Sequence, residues 1–269
     1  MKTILFCILF IPLQTVWANR QDSGVLIPAG AFQMGCSMGD DLCGSDEGPA
    51  GGIAVQVDAF RIDDNEVTVA AYRQCVKAGQ CRAPEDTSLT QYCNYGNPAR
   101  DNHPVNCLDW QQAQNYCTVH GGRLPYEAEW EKAARAGSLT AYPWGNTVSC
   151  KQAILDDGKT TGSVPDEGDG CGEDRTWPIA SRPANAFGLH DMHGNAGEWV
   201  FNWYAPDAIS ELYSKGNLSG PVTGRQRVLR GGSWDENPAN LRSSYRNVKP
   251  PESGKSIYGS IGFRCVYPQ

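Results

Sequence analysis

Asp235 and Glu236 stand side by side behind Ser233 and Trp234, and Asn237, Asn240, Arg242, Ser244, Tyr245 and Arg246 follow within ten residues. Two adjacent carboxylates can serve as a general base or as hard ligands to a metal ion. Ser233 and Glu236 are therefore the candidate catalytic residues, and Trp234, Asp235, Glu236, Asn240, Arg242 and Arg246 form a candidate ligand-reading strip. The bland alternative pairs Arg242 and Arg246 with Asp235 or Glu236 on the surface, where ion pairs contribute little. Gly231 and Gly232, just upstream, would let backbone approach closely beneath such a site. Neither a Gly-x-Ser-x-Gly elbow nor a Gly-x-x-x-x-Gly-Lys phosphate loop occurs, which sets aside the serine hydrolases and nucleotide enzymes that use them.

The elements that must carry this strip are short. Thirty glycines, seventeen prolines, eight tryptophans and eleven tyrosines describe a loop-rich chain packed by aromatic rings. Helices are predicted over 69–78 behind Thr68, over 110–119 behind a capping box of Asp109 and Gln112, and over 126–136 behind Pro125. Strand signals cover 24–27, 55–60, 227–229 and 262–266. Residues 147–177 are rich in Gly, Asp and Lys with almost no apolar period, so they read as a long surface excursion that needs a further restraint. Cys150 and Cys171 bracket it, and a disulfide there would supply one. Trp130 and Trp199 are expected in the core, whereas Trp234 suits either core or pocket wall.

The N-terminus reads as a signal peptide over 1–18: Lys2, an apolar run from Ile4 to Leu13, and Val16-Trp17-Ala18 as a small-residue cleavage site. That run is too short to span a bilayer, so a periplasmic or secreted chain is expected, with one domain over 19–269 and no transmembrane segment. Of eleven cysteines, Cys7 falls in the leader and ten remain, an even number that favours disulfides in an exported protein. Zinc is disfavoured, since no Cys-x-x-Cys pair exists and only four histidines are present. A net charge of −7 without a Lys/Arg cluster argues against nucleic acid and anionic membranes. The expected partner is a peptide, a protein or a small metabolite, and the expected state is a monomer.

Nine phrases occur in the order and spacing of one enzyme family: Pro28-Ala-Gly-Ala-Phe-Gln-Met-Gly35, Asn65-Glu-Val-Thr68, His103-Pro-Val105, Gly122-Arg-Leu-Pro-Tyr-Glu-Ala-Glu-Trp-Glu131, Tyr142-Pro-Trp-Gly-Asn146, Asn185-Ala-Phe-Gly-Leu189, Gly194-Asn-Ala-Gly-Glu-Trp199, Arg230-Gly-Gly-Ser-Trp234 and Gly262-Phe-Arg-Cys265. On these the chain resembles the formylglycine-generating enzymes, or sulfatase-modifying factors. The resemblance implies an irregular α+β domain, related to the C-type-lectin-like arrangement, with little regular secondary structure. In the family two cysteines follow the Arg-Gly-Gly-Ser segment and hold copper for dioxygen-dependent oxidation of a sulfatase cysteine, because soft thiolates suit Cu(I). The matching positions here are Glu236 and about Leu241, so copper and formylglycine formation are not expected.

The resemblance also implies structural calcium, held by the carboxylates of Asp191 and Glu198 and the carbonyls of Gly194 and Ala196, an oxygen set that suits the ion. His193, inside that loop, reads as a loop or core residue. A second family calcium site would fall at Ile154 and Cys171, where neither side chain fits; Asp156, Asp157, Asp166, Glu167 and Asp169 read as a solvated acidic loop. The pairing Cys117 to Cys265 follows from the resemblance, while proximity suggests Cys36 to Cys43, Cys75 to Cys81 and Cys93 to Cys107. Two functions compete. One is an exported accessory protein that holds a ligand or partner on the 233–246 surface. The other is a tailoring enzyme of the same superfamily, an oxidoreductase acting on a peptide or metabolite, with Asp235 and Glu236 as ligand or base and iron as the metal left open.

Overall fold

Asp109 caps the helix that its sequence announces: its carboxylate accepts the Gln112 N–H at 2.7 Å while the Gln112 side chain accepts the Asp109 N–H at 3.2 Å. This computed structural model describes residues 24–85, 91–158, 170–255 and 259–269. The capped helix is α2, Trp110–Val119. Helix α1, Val69–Lys77, starts where the Thr68 hydroxyl accepts the Ala71 N–H at 3.2 Å. Helix α3, Glu127–Arg135, stops where Ala136 turns left-handed, and all nine of its residues are buried. Its charged side chains are thus interior groups that need partners.

The strands are β1 (Val25–Ile27), β2 (Gly30–Met34), β3 (Ile53–Val57), β4 (Phe60–Ile62), β5 (Gly197–Trp203), β6 (Arg227–Arg230), β7 (Asn247–Lys249), β8 (Ile261–Gly262) and β9 (Val266–Tyr267). They form three small sheets in the orders β1-β4-β9, β2-β3 and β7-β6-β5-β8. In the four-stranded sheet β5 pairs parallel with β8 and antiparallel with β6, and β6 pairs antiparallel with β7. One apolar cluster joins β1 to β4 with Trp130 and Val200, and a second joins α1 and α2 with Trp199, Leu229 and Phe263. Trp130 and Trp199 are fully buried, as expected, and Trp234 joins them at 2 % exposure.

Several local expectations changed. The run expected as one strand over 55–60 is split between β3 and β4, which belong to different sheets. Strand β5, the longest, was not anticipated, because its Glu-Trp-Val run is buried on both faces and shows no alternation. The short helix Ala208–Glu211 (α4) was likewise missed. Within the supposed surface excursion, Ala153, Ile154 and Leu155 are buried and Cys171 donates its N–H to the Leu155 carbonyl. Five disulfides join Cys36–Cys43, Cys75–Cys81, Cys93–Cys107, Cys117–Cys265 and Cys150–Cys171. The leader over 1–18 and the acidic residues Asp166, Glu167 and Asp169 lie outside the described residues. Among the described residues no helix is long and apolar enough to cross a membrane.

Candidate functional site

The turn after β6 is shaped by two glycines. Gly231 and Gly232 both have positive φ, and a Cβ on Gly232 would lie 2.7 Å from Leu241 Cδ1 and 2.8 Å from the Asn240 carbonyl. This close approach folds the 233–241 segment back on itself. The Trp234 N–H binds the Asn195 carbonyl at 3.0 Å, the Glu236 N–H binds the Ser233 carbonyl at 3.2 Å, and the Asp156 N–H binds the Glu236 carbonyl at 3.0 Å. Trp234 stacks on Tyr92 with ring centroids 5.5 Å apart, beneath the turn. The backbone that carries the two carboxylates is thereby held from three sides.

A cavity of about 510 Å³ opens where the turn meets the four-stranded sheet. Every strand of that sheet contributes to it: Gly197 from β5, Leu229 and Arg230 from β6, Asn247 and Lys249 from β7, and Ile261 from β8. Asp235 and Glu236 line it from the turn. Ser233 donates its hydroxyl to Asp235 Oδ1 at 2.5 Å, and Asn247 Nδ2 donates to Glu236 Oε1 at 3.2 Å. The Val248 N–H in turn binds Asn247 Oδ1 at 2.7 Å, which fixes the amide so that its NH₂ faces Glu236. Glu236 Oε2 is shielded from solvent and has no hydrogen-bond partner.

Burial, reinforced by the neighbouring Asp235 charge, pushes the Glu236 carboxyl up from 4.5 to about 7, against the partial relief of Asn240, Asn247 and Lys249. Burial also raises Asp235, offset in part by the Ser233 hydroxyl. A carboxyl poised near neutrality can take a proton from a bound molecule and give it back.

The strip read from the sequence separates into two groups. Asp235 and Glu236 meet in the cavity, and Asn240 lies beside Glu236 and helps hold its carboxyl down. Trp234 and Ser233 are buried supports. Arg242 and Arg246 do not belong to a ligand surface, nor do they pair with Asp235 or Glu236. Arg242 clasps Glu47 at 2.7 and 2.8 Å and reaches Asp40 at 3.0 Å. Arg246 grips Glu127 at 2.7 and 3.0 Å. Both are interior, because the carboxylates of α3 and of the 40–47 loop need cations inside the fold. Leu241 is fully buried against Ala141, Tyr142 and Leu155.

Sequence reasoning stopped one residue short of Asn247, and also passed over Lys249, Glu252 and Ile261. The available signal was the alternation of Asn247 and Lys249 around Val248, which places both on one face of a strand.

The segment carried over as a calcium site lies on the other side of β5. Glu198 receives Arg264 Nε at 2.8 and 2.9 Å on its two oxygens, Arg264 Nη2 at 2.7 Å, and the Trp130 indole N–H at 2.7 Å. Its lone pairs are thus engaged by protein donors. Asp191 Oδ2 accepts the Ala180 N–H at 2.7 Å. Glu66 accepts from Asn195 Nδ2 at 3.0 Å and from the Ala196 N–H at 3.1 Å. Burial and the mutual repulsion of these carboxylates raise Glu66 and Asp191. Glu66, Asp191 and Glu198 are thus three buried carboxylates held near Arg264 and Arg182, and Glu198 as it stands has both oxygens filled by Arg264 and Trp130. His193 is a core residue: its ring binds the Leu241 carbonyl at 2.7 Å and burial lowers it to about 4. Cys171, beside buried Ile154 and Leu155, is joined to Cys150 in a disulfide. Among the described residues no three His, Cys, Asp or Glu side chains stand together as a ready metal-binding group.

Residues 13–268 match the model of the sulfatase-modifying factor enzyme 1-like domain. The mouse formylglycine-generating enzyme is 31 % identical over 90 % of this chain and 74 % of its own length. Hercynine oxygenase of Mycolicibacterium smegmatis is 30 % identical over 90 % of this chain and 61 % of its own. The solved structure of PvdO from Pseudomonas aeruginosa superposes with a TM-score of 0.73 at 31 % identity, covering 91 % of this chain and 93 % of that one. With the mixed, loop-rich architecture and its three small sheets, these likenesses show that the chain belongs to the sulfatase-modifying factor family of formylglycine-generating-enzyme-like proteins.

Proposed function

We propose that this protein is a tailoring enzyme that holds a small metabolite or peptide in the 510 Å³ cavity and uses Glu236 as the proton acceptor, and that it does not form formylglycine. The observation that carries this reading is Glu236 itself. By the resemblance it stands where the family carries its first copper thiolate, and it is a largely shielded carboxyl, raised to near neutrality, in the wall of the cavity. By the same resemblance the second thiolate position falls at about Leu241, which lies in an apolar cluster. All ten cysteines among the described residues are spent in disulfides, which leaves no dithiolate there for copper.

An accessory protein that only holds its ligand would use the same cavity. Placing Arg242 and Arg246 in the interior removes much of the surface that reading relied on, and a carboxyl tuned to near neutrality suits chemistry better than passive binding. Relatives named as a formylglycine-generating enzyme and an oxygenase add support for chemistry on this fold. Five disulfides accord with an oxidising compartment, and we place the protein in the periplasm or outside the cell. Structural calcium at Asp191 and the Gly194 and Ala196 carbonyls belongs to the same proposal. Oxygen uptake with Cu(I) and a cysteine-containing sulfatase peptide tests the negative half: no uptake is expected, and turnover of the peptide cysteine would overturn it.

A further inference from the structure

A second cavity, of about 410 Å³, runs along β2 and is walled on its far side by Lys132 and Arg135 of α3, the 137–139 turn and Phe187. It shares no wall residue with the cavity at Glu236. We propose that this second cavity binds a small-molecule carboxylate with an apolar body, whose carboxylate accepts from the Lys132 ammonium while its hydrocarbon lies against Phe32, Leu139 and Phe187.

Lys132 keeps 7 % of its surface open. Its ammonium donates to the Pro28 carbonyl at 2.6 Å and to the Gly30 carbonyl at 2.9 Å, and both of those residues line the same cavity. An ammonium carries three N–H groups, and no protein group among the described residues accepts the third. Nor does a carboxylate pair with it. The interior carboxylates of α3, Glu127 and Glu131, are taken by Arg246, Arg230 and Arg135, and Glu129 is taken by Arg123. Burial lowers the Lys132 ammonium, opposed only by Asp58 from beyond salt-bridge distance. A cation drawn out of water without a counter-ion is costly, and an anionic occupant offsets that cost.

No Asp or Glu lines the cavity to repel such an anion. Arg135, the other charged residue of the wall, has spent its guanidinium on Glu131, the Ser37 hydroxyl and the carbonyls of Gly35 and Thr140. One uncommitted cationic donor suits a single carboxylate better than a phosphate, whose three oxygens call for several.

The apolar walls are set before anything binds. The Ser138 N–H binds the Arg135 carbonyl at 2.9 Å and Arg135 Nη1 binds the Thr140 carbonyl at 3.2 Å, so the turn holds Leu139 outward, 65 % exposed. Asn185 fixes Phe187: its Oδ1 accepts the Phe187 N–H at 3.0 Å while its Nδ2 donates to the Ala133 carbonyl at 2.8 Å. A preformed, mostly apolar pocket with one placed polar group orients an amphiphile by its head.

Octanoate, 1-octanol and octylamine share one tail and serve as probes in calorimetric titrations of the intact protein at about pH 7, where the acid and the amine are both charged. Octanoate is expected to bind at least about tenfold more tightly than octanol, and octylamine more weakly than either. No binding of octanoate, or equal binding of octanol or octylamine, overturns the proposal. Lys132→Met should erase the preference for octanoate over octanol, and a preference that survives it overturns the proposal as well. Because Lys132 also holds the Pro28 and Gly30 carbonyls, the exposed Leu139 supplies variants that leave that support intact. Leu139→Glu should weaken octanoate about tenfold and Leu139→Gln far less. Equal effects of the two, or none, would mean that octanoate sits elsewhere and would overturn the assignment of this cavity.

Discussion

Arg246 sets its guanidinium flat against Glu127, Nε to Oε1 at 2.7 Å and Nη2 to Oε2 at 3.0 Å, in the interior between β7 and helix α3. The contact joins residues 119 positions apart and is supported by the Tyr213 hydroxyl, which donates to Glu127 at 2.9 Å. Removing the cation takes both short ionic hydrogen bonds from the buried Glu127 and leaves it only Arg230, 3.7 Å away, as a counter-ion. Arg246→Met should therefore cost about 3–5 kcal/mol in urea unfolding, and adding Glu127→Gln should recover part of it. The exposed Glu211–Lys215 pair is the control: Lys215→Ala should change stability by less than about 1 kcal/mol.

The disulfides should rank by the span they close. Cys117–Cys265 bridges 148 residues and Cys150–Cys171 bridges 21. On chain entropy, loss of the first is expected to cost about 5 kcal/mol and of the second about 3 kcal/mol. Paired Cys→Ala variants compared by denaturant melts check the order, and a larger loss at Cys150–Cys171 would mean that native packing of the 150–171 segment outweighs loop closure.

Calcium is expected to raise the melting temperature, because Glu66 and Asp191 are buried carboxylates made costly by each other's charge. Asp191→Asn should shrink that rise. A melt unmoved by millimolar calcium would mean that Arg264 and Arg182 balance the cluster.

Glu236 should make stability fall with rising pH. Its folded carboxyl titrates at about 7 against an ordinary 4.5, so between these values the folded state holds a proton that the unfolded chain has lost. The stability from that proton is fully present below 4.5 and is lost as pH rises through 7. Glu236→Gln stays neutral throughout, so its stability relative to the parent should improve by up to about 3 kcal/mol between those limits. Urea melts across the range check the sign.

The capped helices α1 and α2 were legible in the sequence because a cap is a local event: Thr68 and Asp109 meet their N–H partners within three residues. The family phrases gave the architecture. Arg242 and Arg246 were misplaced for the opposite reason, since their partners Glu47 and Glu127 lie far off in the chain and no local pattern distinguishes a buried arginine from an exposed one. Strand β5 escaped because both of its faces are covered. Asp235 and Glu236 were found because they follow the Arg230-Gly-Gly-Ser233 phrase of the family, but their tuning was not, because the cavity that desolvates them is assembled from four strands and a turn.

The most direct test is a carbon-13 NMR titration of the Glu236 side-chain carboxyl, assigned by its loss in Glu236→Gln. A midpoint near 7 is expected from its burial beside Asp235. A midpoint near the ordinary 4.5 would contradict the assignment of Glu236 as the proton acceptor of this site.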